Sequence, residues 1–441
     1  PGAFVVTTKA FHYFIKETKI QDQINEILRK VDVDESEDLM KKAEEIRGII
    51  TSTEIPEDLK KEIIEAYDNF NIDLDSLKGS PGALAILKSS REPIFVSVRS
   101  SSTAEDLENA SFAGQQKSFL NIKGNQNLLD KVKEVFASIF TARSIYYRKK
   151  KGFESFVGIA VIVQEMINAD KSGVMFSNHP VKNNKEILIE AVFGLGEGIV
   201  SGKISPDQYL VSRDLEIMKE SITDKKIAII RTAGGLTKVK QLTPEKSKER
   251  ILKTYEIKQL AEYALKLEEH YKKPQDIEFS IEGENIYILQ TRPITALKEK
   301  EGGETELEGR ILTEGLAASP GVASGKVKII NSMDDLSKIR EGNILVTKMT
   351  NPDMVISMQK ASAIVTSEGG VTAHAAIVSR EMGIPAVVGT RNALEVLEDD
   401  MEITVDGSNG KVFSGLAKNK KIEILPIVET KTKIKVLVDL P

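Results

Sequence analysis

Apolar side chains recur at helical spacing through residues 16–80. Leu28, Val31, Leu39, Ile46, Ile49 and Ile50 are set there among charged residues. This pattern predicts helices, interrupted near 34–36 and 52–56, where Asp, Ser and Pro gather. The character changes at Pro93. Ile94-Phe95-Val96-Ser97-Val98 is a β-branched run that predicts a strand. Residues 158–163, 187–189 and 209–211 predict further strands. Residues 128–147 predict a helix with Val132, Val135, Phe136 and Ile139 on one face, and 245–270 predict a second long amphipathic helix. Residues 276–281 and 286–292 read as two strands of a hairpin around Glu282-Gly283-Glu284-Asn285.

After the hairpin the apolar signal stops. Residues 297–309 are Lys, Glu, Gly and Thr with almost no apolar side chain, which predicts a linker. Fully extended, it would span about 43–47 Å. A second unit is expected over 310–420, with short strands at 321–330, 343–346, 363–365, 386–388 and 403–405 and helices between them. The final stretch, within 421–441, turns β-rich and ends abruptly at Pro441, as though leading into a further element. A chain of 441 residues, 41% hydrophobic and 29% charged, fits a multidomain globular protein of mixed α+β class. It contains no cysteine, so disulfides and thiolate chemistry are excluded. The net charge of −5 gives no reason to expect nucleic acid as a partner. No apolar run approaches the length of a membrane span, and the N-terminus carries no signal-peptide pattern, so a cytoplasmic location is expected. The chain begins at Pro1 rather than Met, as a fragment would.

Three segments carry candidate chemistry. In the first, a strand runs into Gly369-Gly370-Val371-Thr372-Ala373-His374. The glycines allow a sharp turn, Thr372 is placed to cap the helix that follows, and His374 falls in its first turn. Free amides and the helix dipole there favour an anion such as a phosphoryl group, and neutral imidazole is a competent nucleophile near pH 7. In the second, Asp276 and Glu278 share one face of a hairpin strand, while Ile277, Phe279 and Ile281 face a core. A register centred on residue 284 sets Glu278 opposite Gln290 and Asp276 opposite Arg292. Carboxylates suit Mg²⁺ and Arg292 suits phosphate oxygens, although a cross-strand salt bridge on a solvated face has the same residues. In the third, Arg99 ends a strand and enters the hydroxyl-rich loop 100–103, and Gly114 follows in Ser111-Phe112-Ala113-Gly114-Gln115-Gln116. That loop fits either phosphate contacts or a polar cap. Gln164-Glu165-Met166 follows a strand and is a candidate hinge against an adenine ring. Gly194-Leu195-Gly196-Glu197-Gly198 is glycine-rich but matches no nucleotide fingerprint. Arg148-Lys149-Lys150-Lys151 reads as a solvated helix end.

Taken together, Arg99-Ser100-Ser101, Ser111 to Gln115, Asp276-Ile277-Glu278, Leu289-Gln290-Thr291-Arg292-Pro293, Thr350-Asn351-Pro352-Asp353 and Gly369 to Ala376 resemble the phosphoenolpyruvate synthases (pyruvate, water dikinases). The resemblance is particularly to archaeal forms, and pyruvate, phosphate dikinase is the related family member. The resemblance implies an ATP-grasp nucleotide-binding domain over 1–296, a linker at 297–309 and an α/β phosphohistidine swivelling domain over 310–420. A connector at 421–441 would lead toward the family's C-terminal TIM barrel, which is absent here. It implies ATP as substrate and Mg²⁺ as cofactor. His374 would take the β-phosphoryl group, release AMP and phosphate, and pass the group to pyruvate. Arg99 and Arg292 would neutralise phosphate, Gly114 and Ser118 would contact it, and Gln164 would lie on the adenine side. Glu278 and Gln290 would hold nucleotide and metal, with Asp276 as a further metal ligand and Thr372 beside the histidine. The partners implied are ATP and, through the missing barrel, pyruvate or phosphoenolpyruvate. The full-length enzyme would be a homo-oligomer. The family has a lysine-bearing segment just before the position of Pro1 that contacts ATP phosphates and is absent from this sequence, so this chain is expected to perform at most the ATP half of the reaction. The alternatives are a pyruvate, phosphate dikinase, an antibiotic-phosphorylating relative, or a phosphocarrier charged from phosphoenolpyruvate.

Overall fold

The computed structural model describes residues 1–33, 35–70, 92–102, 106–107, 110–111, 118–150, 158–181, 185–200, 204–294, 309–351 and 354–416. Gly114, most of the expected linker and the stretch 421–441 lie outside them.

The N-terminal part builds a four-stranded antiparallel sheet in the order Ala3–Val6, Ile159–Glu165, Val96–Ser102, Ser118–Ile122. Val96, Val98, Val161 and Val163 alternate onto its inner face and are fully buried. Helices Thr8–Glu17, Gln21–Lys30, Ser36–Ser52 and Glu57–Asp68 share that core with Asn125–Ser138 through Phe11, Phe14, Ile46 and Phe136. The helical expectation for 16–80 thus holds as far as it is described, beginning earlier, at Thr8. The helix expected over 128–147 is two, Asn125–Ser138 and Ala142–Lys150. Arg148 is not a solvated end. Its Nη2 donates to the Ile139 carbonyl between the helices (2.8 Å), its Nε donates to the Ser144 carbonyl (3.1 Å), and its guanidinium lies over the Phe140 ring.

A six-stranded antiparallel sheet follows, ordered Ile217–Ser221, Asp207–Val211, Ile187–Phe193, Lys171–Phe176, Gln275–Glu282, Asn285–Pro293. Ile187–Phe193 is buried at every position, because Met175, Ile189 and Phe279 pack on one side and Val174, Leu188 and Val192 on the other. The long helix expected at 245–270 is a short turn, Pro244–Lys248, followed by Thr254–Tyr271. Residues 311–414 form an eight-stranded mixed sheet. Val322–Ile330, Asn343–Thr347, Ala363–Thr366 and Ala386–Val388 are its parallel centre. Among the described residues no helix is long and apolar enough to cross a membrane.

One buried ion pair braces the six-stranded sheet. Lys225 Nζ donates to Asp207 Oδ1 at 2.6 Å, with both side chains at 1% exposure or less. Asp207 also accepts from the Thr223 and Ile251 amides and the Tyr209 hydroxyl. Removing one partner strands a buried charge, so Lys225→Ala is expected to destabilise the protein by ~3–5 kcal/mol. Denaturant unfolding checks this.

Candidate active site

Arg99 belongs to the four-stranded sheet but reaches the six-stranded one. Its strand alternates Val96 and Val98 inward, which turns Ser97 and Arg99 to the other face. From there Arg99 Nη2 donates to Glu278 Oε2 at 3.0 Å and also to Gln290 Oε1. Arg99 Nη1 lies 3.5 Å from Gln164 Oε1. The hairpin sets Glu278 opposite Gln290 and Asp276 opposite Arg292, as the centred register requires. That register exists only because the ladder slips beyond Phe279–Ile288 and leaves Leu289 as a bulge. The Leu289 carbonyl accepts from Gln164 Nε2 at 3.1 Å. Gln164 is therefore not in a hinge after a strand. It lies within one, paired with Ala3 and Ser97.

Arg292 Nε and Nη2 both lie 2.9 Å from Asp276 Oδ2. Burial pushes the Asp276 carboxyl up, against the pull of Arg292, while Asp276 holds the Arg292 guanidinium firmly charged. Ser118 is exposed on the edge strand, opposite Arg99 in register. Six expected residues are thus brought together, Arg99 and Gln164 from the four-stranded sheet and Asp276, Glu278, Gln290 and Arg292 from the hairpin of the six-stranded sheet. The carboxylates of Glu278 and Asp276 suit Mg²⁺, which is usually held by one or two carboxylates plus phosphate oxygens. Among the described residues no group of three or more His, Asp or Glu is arranged to hold a metal alone.

His374 is the first residue of helix His374–Met382. Its Nδ1 is 2.8 Å from the hydroxyl of Thr350. The two preceding glycines do different work. Gly369 has φ +110°, where a side chain would be strained. A Cβ on Gly370 would approach Glu190 Oε1 to 3.1 Å and Pro206 to 3.2 Å, so glycine permits close contact with the six-stranded sheet.

That contact changes the role expected of Thr372. The helix cap is Ala373 without a side-chain bond, and the Thr372 hydroxyl instead donates to Glu190 Oε2 at 2.7 Å. The Val371 amide donates to Glu190 Oε1 at 3.3 Å, and Gln208 Nε2 to the same oxygen at 2.7 Å. Burial pushes the Glu190 carboxyl up, and the three donors oppose that. Val371 itself joins the apolar cluster of Val174, Leu188 and Ile204. Glu190 and Gln208 were not among the sequence candidates, and Thr350 stood there only as part of the Thr350–Asp353 segment, without a role. The one available signal was a lone acid inside the apolar run Ile187-Leu188-Ile189-Glu190-Ala191-Val192-Phe193.

These features define a two-part protein, antiparallel sheets that carry an arginine and carboxylate cluster followed by a mixed-sheet unit that carries His374. Residues 1–310 match the family "Pyruvate phosphate dikinase, AMP/ATP-binding domain", and residues 339–410 match "PEP-utilising enzyme, mobile domain". The chain belongs to the pyruvate phosphate dikinase family. It is 49% identical to a probable phosphoenolpyruvate synthase of Archaeoglobus fulgidus, over all of this chain and 58% of that one. It is 44% identical to a probable phosphoenolpyruvate synthase of Methanothermobacter thermautotrophicus, over all of this chain and 64% of that one. A phosphoenolpyruvate synthase of Pyrococcus furiosus is 41% identical, with 95% of this chain and 55% of that one covered. The chain thus spans somewhat more than half the length of these relatives.

Removing Glu190 leaves a buried hydroxyl and a buried amide without their acceptor, a cost of about 1–3 kcal/mol. Glu190→Ala is accordingly expected to speed hydrogen exchange at the Val371 amide by roughly 5–150-fold. Exchange read at single-residue resolution checks this.

Proposed function

We propose that this chain carries the ATP-dependent half of a phosphoenolpyruvate synthase reaction, in which His374 accepts the β-phosphoryl group of ATP. The single observation that carries the reading is the seating of the His374 turn on Glu190, in the same sheet that holds the arginine and carboxylate cluster. The domain matches and the names of the relatives support the same reading. In it, residues 1–296 form an ATP-grasp domain and 310–420 a swivelling phosphohistidine domain, joined by the linker 297–309.

ATP would lie between the four-stranded and six-stranded sheets. Arg99 and Arg292 would exchange their carboxylate partners for phosphate oxygens, with Ser118 contacting the phosphates from the first sheet and Gly114 contacting them as the family resemblance implies. Glu278 and Asp276 would hold Mg²⁺, and Gln290 and Gln164 the nucleotide. Bound Mg²⁺ would supply charge neutralisation at the phosphates. With Nδ1–H donated to Thr350, the Nε2 lone pair of His374 is the nucleophile. The Nε2–Pβ bond forms as the bond between Pβ and the oxygen bridging to the α-phosphate breaks, and AMP leaves with that oxygen. Water then attacks the γ-phosphorus, the bond between Pγ and the oxygen bridging to the β-phosphate breaks with that oxygen staying on Pβ, inorganic phosphate departs and a water proton goes to solvent. Catalysis is positioning and electrostatic stabilisation. Transfer of the remaining phosphoryl group to pyruvate belongs to the C-terminal part of the longer relatives. A cytoplasmic homo-oligomer acting in gluconeogenesis completes the reading.

Incubation with Mg²⁺ and ATP labelled separately at the β and γ positions tests it. Lasting β-label on His374 with release of AMP and free γ-phosphate is expected, and His374→Ala should lose the label while still binding ATP. Lasting γ-label with ADP would mean a simple kinase. Pyrophosphate formed only when inorganic phosphate is added would mean the pyruvate, phosphate dikinase reaction.

A further inference from the structure

Arg380 lies near the end of the His374 helix, largely buried, and both arms of its guanidinium donate to main-chain carbonyls. Nη1 reaches Ala318 and Nη2 reaches Val371, each at 2.8 Å. The Ala318 carbonyl is in need of a donor. Pairing of strand Leu316–Ser319 with Ala386–Val388 shifts between Ala317 and Ser319, so Ala318 has no ladder partner. Val371 is the residue whose amide goes to Glu190. Its peptide groups are therefore gripped from two sides, by Glu190 of the nucleotide-binding unit and by Arg380 of the histidine unit.

Neither carbonyl carries a countercharge. Burial pushes the Arg380 guanidinium down to about 10; Asp276 and Glu190, both across the interface, act most strongly against this, while Arg292, the partner of Asp276, adds a smaller push downward. The adjacent Glu381 contributes less. A buried guanidinium bonded to neutral groups is costly unless an opposite charge lies near. In this molecule that charge is met when the histidine unit sits on the six-stranded sheet.

We propose that Arg380 is a positioning residue for phosphoryl transfer to His374: its fork orients the Val371 peptide for Glu190, and its charge, facing Asp276 and Glu190, favours the seated pose. The proposal rests on His374 being the phosphoryl acceptor. It separates two demands on the histidine unit, reactivity of the imidazole and residence at the ATP site, and assigns Arg380 to the second.

The test compares two phosphoryl donors in the full-length protein. ATP phosphorylates His374 only in the seated pose. Phosphoramidate is a small donor that needs no nucleotide-binding unit: imidazole Nε2 bonds to phosphorus, the P–N bond breaks, and ammonia leaves with a proton. Arg380→Met is expected to slow β-labelling from ATP by at least about fivefold, the low end of ordinary coupling between sites. Labelling by phosphoramidate and affinity for ATP should stay at the unsubstituted level. Arg380→Lys, which keeps the charge, should restore most of the rate. Docking is read directly in this chain, which has no cysteine, by dyes on cysteines placed at exposed Tyr255 and Val396. Energy transfer should leave its docked value in Arg380→Met and regain it in Arg380→Lys. Equal loss with both donors would confine Arg380 to local structure and overturn the proposal. Unchanged labelling from ATP, or unchanged energy transfer, would also overturn it. Absence of β-label on His374 in the unsubstituted protein would sink the parent reading instead, and is seen before any variant is made.

Discussion

A carboxylate buried in the middle of a sheet must be surrounded by donors, and Glu190 draws them from two different units. Gln208 comes from the neighbouring strand, while the Val371 amide and the Thr372 hydroxyl come from the turn that leads into His374. The apolar side chain of Val371 enters the same sheet's core. Glu190 is wholly inaccessible in this pose, so it depends on the turn as much as the turn depends on it. The features of that turn follow from this contact. Gly370 must lack a side chain because Glu190 and Pro206 are too near, and Thr372 serves the interface rather than its own helix.

The charged cluster beside that contact is organised in pairs. Arg99 is held by Glu278 and Gln290, and Arg292 by Asp276. Each arginine is thus placed by the kind of oxygen it would meet on a phosphate, and each carboxylate by a cation. Partial burial strengthens these pairs relative to surface ones, since less water screens them. The four-stranded and six-stranded sheets are tied together at this point by two side chains, Arg99 and Gln164, reaching across. Further from the site, Lys225 and Asp207 lock the strand that carries Gln208, so the position of one donor to Glu190 is set by a pair buried deeper in the same sheet.

Much of the hairpin was legible beforehand. Its alternation placed Ile277, Phe279 and Ile281 inward, and the pairing of Glu278 with Gln290 and Asp276 with Arg292 followed from counting across the turn. The count succeeded through a feature it did not contain, the bulge at Leu289, which offsets a two-residue loop. The helix over 128–147 read as continuous because its apolar face is continuous. Its break at 139–141 is filled by Arg148, a side chain whose sequence context, next to three lysines, says only that it is basic. The turn at Gly369–His374 was recognisable as a strand-to-helix corner, whereas the partner of Thr372 lies 182 positions away and left only a lone acid in an apolar strand as its trace.

Periodicity, turn residues and the order of polar motifs are local properties, so the chain by itself determined the element types, the side chains on the functional face of the hairpin, the absence of thiol chemistry and the family pattern. Which elements touch is a property of packing between distant segments. Only the tertiary structure decided that Arg99 bridges two sheets, that Thr350 takes His374 Nδ1, and that Glu190 and Arg380 hold the Val371 peptide from opposite units. Buried polar groups are satisfied by whatever donor or acceptor the fold brings near, and that choice is made in three dimensions.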